Sequence, residues 1–290
     1  GSAQVGLVGS LAAGDFVAAA KRSEPGVTDR VSLYISAART PMFAARSGLA
    51  RPEQGRPLMT TSRRDLLSGL LGCCVATALA RTGAYAAEGA SVRLGEPRPF
   101  GPDMVREQAR VLATEPFGSL DGAVPEVLAG LSPQQHAAIR FRPEAALWHG
   151  LGMDAEVQFF HLGYRFRTPV HVFEVLYTPS SFDFGDDGLT ADLPEDLGFA
   201  GLRLLAPVNR PDHLDELAVF LGASYFRALG RGQRYGQWAR GIAVDTGLPK
   251  EEEFPSFRAF WLERPAPGAG QVVAHALLDG PSLTGAYTFR

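Results

Sequence analysis

The stretch V-F-L-G-A-S-Y-F-R-A-L-G-R-G-Q-R-Y-G-Q-W-A-R-G-I-A-V-D-T-G, Val219 to Gly247, decides the fold class. Two apolar, aromatic-rich runs, Val219 to Ala228 and Ile242 to Asp245, flank a segment broken by Gly230, Gly232, Gly236 and Gly241. Short runs between glycine clusters mark antiparallel strands. Among the apolar residues stand Ser224, Tyr225, Arg227, Tyr235, Trp238, Arg240 and Asp245. A strand that only fills a core does not need so many polar heads. Aromatic rings beside guanidinium and carboxylate groups suit a sugar surface. A ring packs on the apolar face of a pyranose, and the charged groups take its hydroxyls in fixed directions.

Working outward, strands are expected at Ala155–His161, Tyr164–Val175, Phe199–Leu205, Glu216–Arg227, Arg240–Thr246, Phe257–Glu263, Gln271–Leu278 and Thr284–Phe289, with Leu162-Gly163 as a turn. Tyr164–Val175 reads as the hairpin partner of the strand before it. No helical period intervenes, so parallel β-α-β units are not expected. Many short strands argue for a large antiparallel β-sandwich. Helices come first. Pro102 and Asp103 open one whose Val105, Ala109 and Leu112 share a face. Pro125–Leu131 reads as a second, and Ser132-Pro133-Gln134-Gln135 is a capping box opening a third. The fold class is therefore mostly β, with a few short helices at its start. The acidic, glycine-containing run Ser180–Asp196 reads as a solvated loop.

Residues before the sandwich read as an address. Arg63 and Arg64 precede the apolar run Leu66–Ala80, and Ala84-Tyr85-Ala86 is a small-residue cleavage pattern. These are the three parts of an export signal, and the paired arginines point to the twin-arginine route and the periplasm. The expected organisation is 1–58 as an upstream segment without a period of its own, 59–86 as signal peptide and 87–290 as the β-sandwich. Leu70-Leu71-Gly72-Cys73 offers a rival, lipoprotein-type processing site.

Of the 290 residues 46% are hydrophobic and the formal net charge is -3, so no polyanion partner, and no nucleic acid, is expected. No apolar run suggests a stable membrane span once a signal is removed. The only cysteines, Cys73 and Cys74, are adjacent and leave no disulfide for the folded part. Six histidines without close spacing support no metal site, and no phosphate-binding glycine loop with Lys is present, so no cofactor is expected. A homodimer stays open.

The candidate substrate-binding residues are Tyr225, Arg227, Tyr235, Arg240, Asp245 and Trp261. The bland alternative is that Arg240 and Asp245 form a structural ion pair and the aromatics are core. Phe160-His161 and Trp148-His149 are secondary candidates, for which a bonded core histidine is the simpler reading. Glu251-Glu252-Glu253 reads as solvated.

Eight runs now carry a resemblance: R-P-F-G-P-D-M-V-R, I-R-F-R-P-E-A-A-L-W-H, V-Q-F-F-H-L-G-Y-R-F, D-L-G-F-A-G-L-R, F-L-G-A-S-Y-F-R-A, A-R-G-I-A-V-D-T-G, E-E-F-P-S-F-R-A-F-W and L-L-D-G-P-S-L-T-G-A-Y. The sequence from Phe100 onward resembles the OpgG/OpgD (MdoG/MdoD) family of periplasmic glucan biosynthesis proteins, and its twin-arginine pattern is more similar to the D type. The resemblance implies a galactose-mutarotase-like β-sandwich followed by an immunoglobulin-like domain. It implies action on the β-1,2-linked glucose backbone of osmoregulated periplasmic glucans, with D-type members similar to inverting glucanases. It places the family's paired acids after the T-G-A-Y run Thr284–Tyr287, so no catalytic residue is assigned within this chain. The immunoglobulin-like domain is likewise expected to be absent, and the sandwich incomplete.

Overall fold

The computed structural model describes residues 92–118, 124–185, 189 and 193–290, with the backbone of three short strands before them. The leader, its twin arginines, the cleavage pattern and both cysteines lie outside the described residues.

In chain order the elements are β1 (Val5–Val8), β2 (Phe16–Ala20), β3 (Tyr34–Ile35) and β4 (Arg93–Leu94). Three helices follow: α1 (Pro102–Leu112), α2 (Glu126–Ala129) and α3 (Pro133–Ala138). Then come β5 (Arg140–Phe141), β6 (Glu156–Phe160), β7 (His171–Phe173), β8 (Val175–Leu176), β9 (Phe182–Asp183) and β10 (Gly201–Ala206). The last six are β11 (Asp215–Leu221), β12 (Tyr225–Ala228), β13 (Gln237–Val244), β14 (Ser256–Glu263), β15 (Val273–Asp279) and β16 (Leu283–Phe289).

Two sheets form the sandwich. One runs β1-β13-β12-β11-β10-β6 and the other β3-β2-β16-β15-β14-β7-β8-β4, with β5 and β9 as a separate pair. Pairing is antiparallel except between β14 and β7, which run parallel. The strand β1 pairs with β13, β2 with β16 and β3 with β2, although the sequence shows no period in 1–58.

The core between the sheets follows from strand alternation. Phe159, Leu202, Phe220, Phe226 and Ala239 are register partners across five strands and all are buried. From the facing sheet come Phe257, Phe260 and Phe289, with ring centroids 6.0, 5.0 and 4.8 Å from Phe220. The outer face of the eight-stranded sheet carries α1, whose Val105 and Ala109 pack on Ala259, Leu277 and Ala286. Thr284 Oγ1 donates to the Ala109 carbonyl at 2.7 Å, tying that helix to β16.

The capping box at α3 forms as expected: Ser132 Oγ accepts from Gln135 N at 3.2 Å, and Gln135 Oε1 accepts from Ser132 N at 3.0 Å. Three expectations differ from the structure. Ser180–Asp196 is not simply a solvated loop: Ser181, Phe182 and Phe184 are buried, and Phe182–Asp183 is β9, paired with β5. Tyr164–Val175 is not the hairpin partner of β6. Its first part is a tight turn between Gly163 and Phe166, and β7 joins the other sheet, while β6 pairs with β10. Glu216–Arg227 is not one strand but the hairpin β11–β12, reversing at Gly222 and Ala223 with φ of 77° and 47°. Glycine is the residue that adopts such a backbone without strain.

Candidate functional site

Alternation that sends five residues into the core sends their neighbours to the opposite, outer face of the six-stranded sheet. Gln158, Arg203, Val219, Arg227 and Trp238 are register partners there, one from each of β6, β10, β11, β12 and β13. Tyr225 and Arg240 form the adjoining pair of the β12–β13 ladder. The sequence candidates Tyr225, Arg227 and Arg240 are thus brought together on one surface.

Each guanidinium on this face is held by an aromatic ring and a carboxylate. The Arg227 guanidinium lies 5.4 Å from the Trp238 ring centroid and donates to Glu216. Arg240 lies 5.4 Å from Tyr225 and 5.7 Å from Phe254, and donates to Glu252. Arg203 lies 5.8 Å from Phe160, donates to the buried Gln158 Oε1 from Nε and Nη2 at 3.1 and 2.6 Å, and approaches Glu216 at 3.5 Å. Planar guanidinium groups fixed in this way present preset donors. Trp238 keeps 59% of its surface exposed, and Phe254 52%.

At the β6 edge the face runs into a cavity of about 800 Å³. Phe160, Arg203 and Leu221 line it from the sheet, and His136, Arg140 and Arg142 line it from the α3–β5 segment. Arg203 therefore belongs to both the cavity and the row that ends at Trp238.

The remaining candidates lie elsewhere. Tyr235 sits in the β12–β13 loop and is 80% exposed. Asp245 follows β13, buried, with φ of 60°. Its Oδ2 is 2.6 Å from Lys250 Nζ, and its buried Oδ1 has no hydrogen-bond partner. Arg240 takes Glu252 and Asp245 takes Lys250, so the Arg240–Asp245 ion pair of the bland alternative does not form. Trp261 is on β14 in the other sheet, stacked on Phe173 at 4.9 Å and Phe100 at 5.7 Å and packed against the α1 cluster. It does not share a surface with Tyr225, Arg227 and Arg240.

His161 is a core residue. Its Nδ1–H donates to the Leu162 carbonyl at 2.6 Å and its Nε2 accepts from the Tyr177 hydroxyl at 2.8 Å. Burial pulls its pKa down to about 4, so the ring is neutral near pH 7. His149 Nδ1 lies 2.8 Å from Glu156, and Trp148 is buried. Glu252 is not simply solvated. Hydrogen bonds from Arg240 and Thr246 hold its carboxyl below the usual carboxylate range.

Sequence reasoning did not place Trp238, Glu216, Arg203 and Phe254 among its candidates. A signal for Trp238 exists. Tyr225/Arg227 and Trp238/Arg240 are both i, i+2 pairs, so each pair shares one face of its strand, and the register Tyr225↔Arg240, Arg227↔Trp238 makes that the same face.

The family model described as "Periplasmic glucan biosynthesis protein, MdoG" matches residues 100–290. The chain belongs to this family. The Glucans biosynthesis protein G of Bradyrhizobium diazoefficiens is 47% identical over 236 residues, covering 79% of this chain and 45% of that protein. The namesake in Rhodopseudomonas palustris strain BisA53 is 49% identical over 203 residues, 67% of this chain and 40% of its own length. The Glucans biosynthesis protein D of Xanthomonas oryzae pv. oryzae strain PXO99A is 42% identical over 243 residues, 80% of this chain and 45% of its own. The chain thus spans less than half the length of these relatives. Both G and D proteins of the glucan family match it. The face described above lies wholly within the matched residues.

Proposed function

We propose that this protein is exported to the periplasm and binds the β-1,2-linked glucose backbone of osmoregulated periplasmic glucans. The polymer lies on the outer face of the six-stranded sheet. The observation that carries this reading is the pairing of exposed or half-exposed rings with clamped guanidinium groups, Trp238 with Arg227 and Tyr225 with Arg240. Rings supply stacking area for pyranose faces, and guanidinium groups supply directed donors for hydroxyl oxygens. The family match and the relatives' names support a glucan as the ligand. Arg63-Arg64, the apolar run and the A-x-A pattern support twin-arginine export.

A second reading is inverting hydrolysis of the same backbone. It needs one protonated acid and one water-activating base held apart. On the described face Glu252 is held ionised by Arg240 and Thr246, which makes it a poor proton donor. Glu216 is ion-paired with two arginines. Binding is therefore the function this face supports best.

The test is titration of the full chain with linear β-1,2-gluco-oligosaccharides, with product release followed in parallel. Saturable binding that weakens in Tyr225→Ala and Trp238→Ala is expected. Absence of affinity for these oligosaccharides sinks the proposal, and release of shorter products moves it to the hydrolytic reading.

A further inference from the structure

Glu216 stands on the outer face because of a slip in register. Phe220 faces the core, and strict alternation back along β11 would send Ala218 and Glu216 inward with it. Between β10 and β11 the pairing goes from Leu204↔Ala218 to Leu205↔Glu216, so Leu217 is passed over. Such a bulge re-aims a side chain. Here it turns a carboxylate onto the sugar face between two arginines.

The carboxylate is clamped without being covered. Oε1 accepts from Arg227 Nη2, Oε2 lies 3.5 Å from Arg203 Nη1, and 27% of the side chain remains exposed. Gln158 holds Arg203 from the far side. An ionised carboxylate offers about four lone-pair sites, of which the two guanidinium groups use two. The arginines of this face can only donate, and its rings stack. Sugar hydroxyls need acceptors as well. Two other carboxylates of the face are already engaged, Glu252 by Arg240 and Thr246 and Glu156 by His149.

We infer that Glu216 is a specificity-determining residue: it accepts hydroxyl hydrogens from the sugar stacked on Trp238 or the unit linked to it, and so fixes the register of the polymer. This rests on the reading of the face as a glucan surface. Arg227 bridges the two groups: its guanidinium lies 5.4 Å from the Trp238 ring centroid and is bonded to Glu216, so the carboxylate reaches a sugar held at that ring or the unit linked to it.

The experiment measures affinities of wild type, Glu216→Gln and Glu216→Asp for β-1,2- and β-1,3-linked gluco-oligosaccharides of equal length, with thermal unfolding of each variant. Loss of a hydrogen bond to a charged group is expected to weaken β-1,2 binding about tenfold or more in Glu216→Gln. The preference for the β-1,2 linkage should narrow with it. Glu216→Asp keeps the charge but draws the carboxylate back by one methylene, and should lie between. A merely structural Glu216 would lower the unfolding temperature and leave the linkage preference unmoved, which overturns the inference. So does wild-type affinity in both variants. A wild type that binds neither sugar overturns the underlying reading instead, and this inference with it.

Discussion

Arg227 lies over the indole of Trp238 while its guanidinium donates to Glu216, so one cation is shared between a ring and a carboxylate. The ring fixes where the guanidinium sits, and the carboxylate fixes how it is turned. Preorganisation of this kind limits the side-chain entropy that a ligand would otherwise cost on binding.

The two tryptophans Trp238 and Trp261 should therefore respond differently to removal. Trp238→Ala takes away an exposed ring and should weaken oligosaccharide binding about tenfold or more with little change in stability, as expected for an aromatic anchor. Trp261→Ala removes a ring that joins Phe100, Phe173 and α1, and should cost about 2 kcal/mol or more of stability with affinity unchanged. Calorimetric titration paired with urea unfolding separates the two. Equal effects of both variants on affinity would contradict the assignment of Trp261 to a separate surface.

Phe220 is the point where the sheets meet. Its ring contacts Phe226 within its own sheet and Phe257, Phe260 and Phe289 across the core. Phe220→Ala should cost about 3–5 kcal/mol, a large part of the total stability of a typical domain. The urea midpoint should fall accordingly. A loss under about 1 kcal/mol would mean the sandwich core is not closed by this ring.

Much of this architecture was legible in the chain because the signals are local. Pro102 and the Ser132–Gln135 box mark helix starts through backbone chemistry that acts within one turn. The two-residue period around Val157 and Phe159 marks a strand whatever its partner. What the chain does not disclose is pairing between distant strands. Trp261 reads like any aromatic in a strand, and only the parallel pairing of β14 with β7 sets it beside Phe173. Glu216 follows the same logic. Its position depends on a register slip against β10, and nothing in D-E-L-A-V-F-L announces it. Asp245 misled for a third reason. A polar residue after an apolar run was read as a binding head, whereas its left-handed backbone and its Lys250 contact make it part of the β13 exit turn.

His161 should give the domain a specific acid sensitivity. Burial lowers its pKa from 6.5 to about 4, with His136 as the nearby titratable ring that opposes its charge. Between these values the unfolded chain binds a proton that the native chain does not. Stability therefore rises with pH through this window and falls as pH drops from 6.5 toward 4, by up to about 3 kcal/mol. The difference in unfolding free energy between pH 7 and pH 4.5 should be smaller in His161→Gln than in wild type. The same pH slope in both would place the titration elsewhere, on the carboxylates.

On the proposed reading, the row across the sheet also sets a length for the glucan. Gln158, Arg203, Val219, Arg227 and Trp238 occupy consecutive strands. Four inter-strand spacings make about 19 Å, longer than one sugar ring. A glucan lying across the strands would meet Trp238 at one end and the Arg203 cavity at the other. Affinity should then climb with each added glucose unit until the ligand spans the row, and level off beyond it. Arg203→Ala should bring that plateau to a shorter oligosaccharide, while the shortest ligands, held at Trp238, bind as before. Calorimetry over a ladder of β-1,2-gluco-oligosaccharides reads both effects. If affinity is already level at the disaccharide, the polymer crosses the face at a single point. The alignment of Arg203 with Trp238 then serves the sheet and not the sugar.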